Sequence, residues 1–376
     1  MIDHPKRARA EGIRFREWRR DRIIVEVIYQ KEIFLDNPYH LDEVNFLIRL
    51  YRLEYLIRRP EKRALNLENI AYVILKQTRK PLNLLSSLYG MYRLSNGIHR
   101  KLRSHLTIDG RPADFHIRDT NAQFCSIYLP QFRSCYEADV SGAVKIFLKE
   151  GGRYIDIGSN WGHHSFIAAL CKNAHVVMFE PNPLVFRDIQ NILSDLKISP
   201  NQVAAYNLAL SEKESVMTLK QKQFESGTAS IVPDTAGPPN NALLKFLYFI
   251  FRIRELSYQV SVRSLDSFNF KELDFIKIDA EGAELDILRG ARATILASRP
   301  VIVYEFQPGD FERFDSHSRF FASLDYDVFS MKCAFLGHRS AGIANYLFSM
   351  ETPEISPGRR YNLIAIPEER KLQGFG

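Results

Sequence analysis

Hydrophobic and polar positions along the chain fall into two textures that meet near residue 105. Before it, apolar side chains recur at three- and four-residue steps. Leu41, Val44, Leu47, Ile48, Tyr51 and Tyr55 form one stripe, and Leu82, Leu85, Tyr89 and Tyr92 another. That period predicts helices. Ala64–Gln77 reads as a further helix, and Pro81 interrupts the pattern before the last one. Clear strand alternation is absent, so residues 1–105 are expected to form a mainly helical N-terminal region. No repeat of 20–50 residues is visible.

After Thr107 the texture changes. Short strand-like runs stand at Gly110-Arg111, Phe115–Arg118 and Phe124–Leu129, and Ala138–Lys149 reads as a helix closed by Gly151-Gly152. Strands and helices then alternate. Strands are expected at Tyr154–Ile157, His175–Glu180, Val203–Leu208, Phe275–Asp279, Val301–Phe306 and Asp327–Ser330. Helices are expected at His163–Cys171, Pro183–Leu196, Glu284–Leu296 and Asp310–Leu324. Asn362–Ile366 would close the sheet. Alternation with short connections predicts an α/β, Rossmann-like domain over 106–370, a mostly parallel sheet with helices on both faces. Residues 226–257 break the rhythm with Gly237-Pro238-Pro239 and a greasy run, and read as an insertion over the sheet, a lid.

Composition changes this picture in three ways. The 376 residues are 45% hydrophobic and 25% charged, which excludes collagenous and wholly disordered classes. No apolar run reaches the ~18 residues of a membrane span, and the first residues lack the apolar core of a secretory signal. Cys125, Cys135, Cys171 and Cys333 form no metal-spaced set. They read as reduced thiols of a cytoplasmic protein, with a Cys125–Cys135 bridge as the weaker alternative. The net charge of +7 is unevenly placed: residues 1–105 hold 22 Lys/Arg against 12 Asp/Glu, and the remainder 29 against 32. From Asn69 to His105 there is no acid. A basic amphipathic surface for anionic lipid, nucleic acid or a phosphorylated substrate is one reading. A core-packing helix with a solvated basic face is the simpler one and weighs more.

The candidate chemistry lies at strand ends. The first core strand runs into Asp156-Ile157-Gly158-Ser159-Asn160-Trp161-Gly162, and a helix follows. Small residues at such a turn let a ligand approach the backbone and face a helix N-terminus. The next strand ends at Glu180, 22 residues after Gly158, placed to accept hydrogen bonds from ribose hydroxyls. Asn182 and Pro183 read as N-cap and first helical residue. The glycine spacing is not GxGxxG, and no Lys or Arg sits in the turn to meet a pyrophosphate. Acids around the turn suit a ligand with an ammonium and a sulfonium, which favours S-adenosylmethionine over NAD. A second cluster follows the Phe275 strand, where Asp279 and Glu281 occupy the strand end and its loop. Glu305 ends the next strand. The three could converge on a hydroxyl substrate or hold a divalent cation. Glu284 reads equally well as a helix-start acid.

These residues resemble the FkbM-type family of S-adenosylmethionine-dependent methyltransferases. The segments IDIGSNWG, FEPNP, DFIKIDAEGAELDILRGA and PVIVYEF stand here in the family's order, and VAAYNLALS and VRSLDSF are similar too. The resemblance covers roughly residues 135–330. It implies a class I methyltransferase fold and methyl transfer, commonly to a hydroxyl oxygen of a sugar or natural product. Carried over, Asp156, Gly158, Ser159, Asn160, Gly162, Glu180 and Asn182 would form the cofactor site, with Asp279 and Glu281 at the methyl group and substrate. Ala280 stands where the family more often has a branched aliphatic. Residues 1–105 lie outside the resemblance.

Asp279 is the preferred general base by position, with Glu281, His163 and His164 behind it. The expected acceptor is a small molecule, a saccharide or a glycolipid. The basic segment and greasy Leu243–Phe251 fit an amphiphilic acceptor and peripheral membrane contact better than nucleic acid, for which no aromatic-interleaved basic motif is visible. Two rivals stand beside this reading: a Rossmann oxidoreductase using NAD, which the glycine spacing disfavours, and a non-catalytic cofactor-binding scaffold. The pattern does not specify an oligomeric state.

Overall fold

The computed structural model describes residues 13–19, 22–30, 33–35, 101–108, 111–118, 121, 123–124, 137–222, 255–306, 311–340, 343–353, 355 and 361–370. Its centre is a run of short, apolar parallel strands: β6 (Arg153–Ile157), β7 (His175–Phe179), β8 (Val203–Tyr206), β12 (Phe275–Ile278) and β13 (Val301–Phe306). They order as β13-β12-β6-β7-β8, with every neighbouring pair parallel. Near-continuous hydrophobic strands of this kind need both faces covered. Helices α1 (Ala138–Phe147), α2 (His163–Cys171), α3 (Pro183–Asp195), α4 (Glu284–Gly290), α5 (Arg292–Ser298) and α6 (Phe311–Ala322) cover them. One buried cluster holds Tyr154, Trp161, Phe166, Val176 and Phe275, and the other Ile155, Ile157, Ile276, Ile278 and Tyr304. Alternate residues of β6 and β12 thus point to opposite layers.

Beyond β13 the sheet reverses. β16 (Tyr361–Pro367) inserts antiparallel between β13 and β14 (Tyr326–Ser340), pairing Glu305 with Asn362 and Val328 with Ala365. Seven strands therefore run β8-β7-β6-β12-β13-β16-β14 with only β16 inverted, the class I methyltransferase arrangement of a Rossmann-like sheet. The sheet continues through β15 (Ile343–Glu351), β2 (Arg22–Gln30) and β1 (Ile13–Arg19), all antiparallel.

That extension corrects the helical expectation for the first residues. Residues 13–35 hold three strands, with β3 at Ile33–Leu35. The run Ile23-Ile24-Val25-Glu26-Val27-Ile28 is β-branched, which suits a pleated surface. Its partner β15 lies more than 300 residues along the chain, so no local period could announce the pairing. The stripes at 41–55, 64–77 and 82–92 lie outside the described residues, as do Cys125, Cys135 and residues 226–254 of the expected insertion. β4 (Lys101–Ile108) and β5 (Arg111–Arg118) form a hairpin that crosses the composition boundary at residue 105. Buried Asp188 of α3 holds this hairpin, accepting from Arg118 Nε and Nη2 at 2.8 Å each and from Asn121 Nδ2 at 3.1 Å. The strand expected from Phe124 is absent there: Phe124 is helical, its N–H donating to Asn121 Oδ1 at 3.0 Å.

The expected helix Glu284–Leu296 is split at Gly290-Ala291. A Cβ on Gly290 would lie 2.1 Å from the Ser211 carbonyl oxygen, so close backbone approach requires glycine. Asp266 then caps the second half, accepting from Thr294 N at 2.7 Å and Ala293 N at 3.0 Å. β9 (Ala209–Leu210), β10 (Ser215–Lys222) and β11 (Glu255–Arg263) make a separate three-stranded sheet that the sequence reading did not anticipate.

Candidate functional site

In open α/β sheets ligands bind beyond the carboxyl ends of the strands. Here the ends of β13, β12, β6 and β7 lie side by side. They bring Glu305, Asp279, the glycine turn and Glu180 to one edge.

The glycine turn is set by crowding. Gly158 has φ +71°, and a Cβ there would sit 1.8 Å from the Asp279 carbonyl oxygen. Only glycine fits between β6 and β12. Its N–H and that of Ser159 donate to the Phe179 carbonyl at 2.9 and 3.1 Å. Gly162, at φ +94°, starts α2 without a side-chain cap. Asn160 is left-handed (φ +50°), and its N–H donates to Glu180 Oε2 at 2.8 Å.

Glu180 is thereby tied to the turn. Its other oxygen, Oε1, accepts from Asn182 N at 2.8 Å. Burial pushes its carboxyl up to about 7, against the opposing pull of these two N–H groups and of Lys277. Asn182 caps α3 as expected, its Oδ1 accepting from Leu184 N at 3.1 Å. Asn207, which the sequence reading passed over, braces the same loop by donating to the Glu180 and Pro181 carbonyls at 2.8 and 3.0 Å.

Asp156 is fully buried beneath the turn. Its Oδ2 accepts from Ser165 Oγ at 2.7 Å, and its Oδ1 lies 3.4 Å from Lys277 Nζ. Lys277 also reaches Asp279 Oδ2 at 3.4 Å and donates to the Gly158 carbonyl at 3.3 Å. Burial alone would lower the ammonium's pKa. Asp156, Asp279 and Glu137 outweigh burial and hold it above the ordinary lysine range, so it stays charged. Lys277 is the main site residue that the sequence reading missed. Its signal was one charge inside the apolar strand Phe275-Ile276-Lys277-Ile278. Burial raises the Asp279 carboxyl; Lys277 opposes this, while Glu137 and Glu281 add to it.

The loop after β12 is clamped by Glu284. Its Oε1 accepts from Gly282 N at 2.9 Å and Ala280 N at 3.2 Å, a positioning role that fits the helix-start reading. Glu281 is left-handed at φ +48°. Oxygens of Asp279, Glu281 and Glu305 lie within 4.8 Å of one another, a set of hard ligands of the kind divalent cations take. Of the two histidines, His164 is buried, with Nε2 2.8 Å from Glu137 Oε2 and Nδ1 3.4 Å from Ser141 Oγ. The His163 ring packs 5.3 Å from Trp161.

Residues 156–328 match the family described as the Methyltransferase FkbM domain. No curated protein matches the chain. Among solved structures, the methyltransferase FkbM from Methylobacillus flagellatus KT is similar at 17% identity and a TM-score of 0.35, covering 61% of this chain and 53% of that one. The chain therefore spans about half the length of that protein. A precorrin-6y C5,15-methyltransferase from Geobacter metallireducens GS-15 is similar at 14% identity, TM-score 0.32, over 60% and 90% of the two chains. A SAM-dependent O-methyltransferase from Thermotoga maritima is similar at 10% identity, TM-score 0.33, over 67% and 78%. The family match opens at Asp156, beneath the glycine turn, and runs past Glu305, so the stretch similar to the Methyltransferase FkbM domain takes in every strand-end residue described above.

Proposed function

We propose that the chain transfers a methyl group from S-adenosylmethionine to a hydroxyl oxygen of a sugar, a glycolipid or a natural product. One observation carries the reading most: at three adjacent strand ends stand a turn with no room for a side chain, a buried carboxylate tied to it, and an aspartate–lysine pair.

The donor set fits the cofactor. The turn leaves bare backbone where a ligand must come close, and a Cβ at Gly158 would fill that space. Glu180 is held by two backbone N–H groups and can accept from vicinal ribose hydroxyls. Residues 158–162 hold no cation for a pyrophosphate, which speaks against NAD. When bound, S-adenosylmethionine supplies a methyl group already activated for in-line displacement.

Everything else falls to the chain's own residues. Asp279 is the proposed base. Its raised pKa makes it a better proton acceptor than an ordinary aspartate. It would take the acceptor's hydroxyl proton, a contribution of typically ~10²–10⁴-fold. The Lys277 ammonium balances the charge of Asp156 and Asp279 and fixes where the second carboxylate points. Glu281 and Glu305 accept from neighbouring hydroxyls of a polyol, and with Asp279 they would also take a divalent cation. No helix among the described residues is long and apolar enough to cross a membrane; a lipid-linked acceptor would be met at the membrane surface.

Calorimetric titration of the full chain with S-adenosylhomocysteine, and with NAD alongside, tests this. Micromolar binding of the first, lost in Glu180→Ala, is expected. Binding of NAD in its place would overturn the methyltransferase reading.

A further inference from the structure

We propose that Asn121 and Phe124 are positioning residues that hold the glycine turn in its ligand-receiving shape. Both stand ahead of the matched stretch 156–328, and the proposal rests on the S-adenosylmethionine reading above.

The turn needs holding. Asn160 and Gly162 are both left-handed, at φ +50° and +94°, and Trp161 stands between them. A non-glycine residue keeps such a backbone only where its surroundings over-determine it. Local bonds supply part of the constraint: Trp161 N donates to Asn160 Oδ1 at 2.8 Å, and Asn160 N to Glu180 Oε2 at 2.8 Å. The indole adds no hydrogen bond. Trp161 is fully buried, and its Nε1 has no hydrogen-bond partner among the described residues. The indole is therefore placed by packing, and whatever walls it in also sets the turn.

Two of its walls come from outside the matched stretch. Phe124 meets the indole edge-on, with centroids 5.2 Å apart and planes at 88°, and Phe115 of β5 lies 6.0 Å away. The two phenylalanines also meet each other edge-on at 5.9 Å. Phe124 is fixed in turn by fully buried Asn121, whose Oδ1 accepts from Phe124 N at 3.0 Å. Asn121 Nδ2 donates to Asp188 Oδ2 at 3.1 Å. Asp188 belongs to α3, and the N-cap of that helix, Asn182, donates its own N–H to Glu180 Oε1 at 2.8 Å. The contacts close a circuit: Glu180, Asn160, Trp161, Phe124, Asn121, Asp188, and back along α3 to Glu180. Half of that circuit is the cofactor turn. With the other half loosened, the turn can relax out of its left-handed shape. A turn competent in only about a tenth of molecules lowers apparent affinity about tenfold.

Calorimetry of S-adenosylhomocysteine binding to the full chain tests this, with Asn121→Ala and Phe124→Leu as variants and Arg299→Gln as the control. Arg299 pairs with Glu369 at 2.6 Å just ahead of β13, at the ends of the strands away from the site. Asn121→Ala and Phe124→Leu should each weaken binding about tenfold or more per folded molecule. The control should stay within about twofold even where it costs as much stability. If Asn121→Ala does not fold, Phe124→Leu, which leaves Asn121 intact, carries the comparison. A spectroscopic signature separates positioning from mere damage. Trp18→Phe leaves Trp161 as the sole tryptophan. In that background either variant should shift the emission to the red, and saturating S-adenosylhomocysteine should return it, because the ligand selects the held turn. Unchanged affinity in the variants, equal weakening in the control, or an emission that the ligand does not return would overturn the proposal and leave the cofactor reading standing. If the unaltered chain does not bind S-adenosylhomocysteine, the cofactor reading fails and takes this one with it.

Discussion

Lys277→Met is the perturbation with the most legible consequence. The side chain it removes is 5% exposed and lies 3.4 Å from carboxylates on both sides. The two partners do not suffer equally. Asp279 is 23% exposed and can be solvated. Asp156 has no exposure, and Ser165 satisfies only one of its oxygens. The cost is therefore chiefly one buried, uncompensated aspartate. Breaking a buried pair in this way typically costs ~3–5 kcal/mol, against a total stability of about 5–15 kcal/mol. For a domain of this size that lowers Tm by roughly 6–20 °C. Adding Asp156→Asn removes the stranded charge and keeps an acceptor for Ser165, so Lys277→Met/Asp156→Asn should recover about half of the loss or more. Urea unfolding followed by the fluorescence of buried Trp161, on the single and double variants, gives both numbers. A single-variant loss under about 1 kcal/mol, or a double variant no better than the single, would refute the argument.

Three further residues of the same site, Glu180, Gly158 and Asp279, yield measurable outcomes. The carboxyl of Glu180 rises from 4.5 to about 7 on folding. Its stabilising contribution is therefore complete below the unfolded value and lost as pH climbs through about 7, amounting to roughly 3 kcal/mol. The ligand-free chain should be less stable at pH 8 than at pH 5, a difference absent in Glu180→Gln. Because the ionised carboxylate is the stronger acceptor, affinity for S-adenosylhomocysteine should rise from pH 6 to pH 8. Calorimetry near neutrality in buffers of different ionisation enthalpy should register a released proton. Gly158→Ala places a Cβ 1.8 Å from the Asp279 carbonyl oxygen at a positive φ; circular dichroism melts should reveal a loss of at least about 3 kcal/mol, or no folded protein. Asp279→Asn should cut methyl transfer by ~10²–10⁴-fold while calorimetric affinity for S-adenosylhomocysteine stays unchanged. Equal loss of both would remove Asp279 from proton transfer.

The sequence by itself determined what is locally encoded. Most of the hydrophobic strands and amphipathic helices from Tyr154 onward lie where their periods put them, within a residue or two; the exceptions are the strand expected at Asp327–Ser330, which runs on to Ser340, and the helix expected at Glu284–Leu296, which is split. The glycine turn, Glu180 and the Asn182 cap could be named because each is a short contiguous signal whose residue types answer a backbone requirement. Gly158 was legible as a turn, yet the reason no other residue fits there, the Asp279 carbonyl 121 residues away in sequence, was not.

Tertiary structure decided the rest, because those contacts join segments that no local period relates. Pairing of β2 with β15 put Ile23–Ile28 into sheet, a state that suits β-branched residues. Register between β12 and β6 set Lys277 opposite Asp156, so that acid has an ion-pair partner 3.4 Å away from within the sheet. Close approach at Gly290 and capping by Asp266 cut one expected helix in two. The His164–Glu137 pair spans 27 residues and forms only because α1 packs beside α2. Strand ends were readable as chemistry, whereas the partners that charge, bury and aim those side chains exist only in the packed sheet.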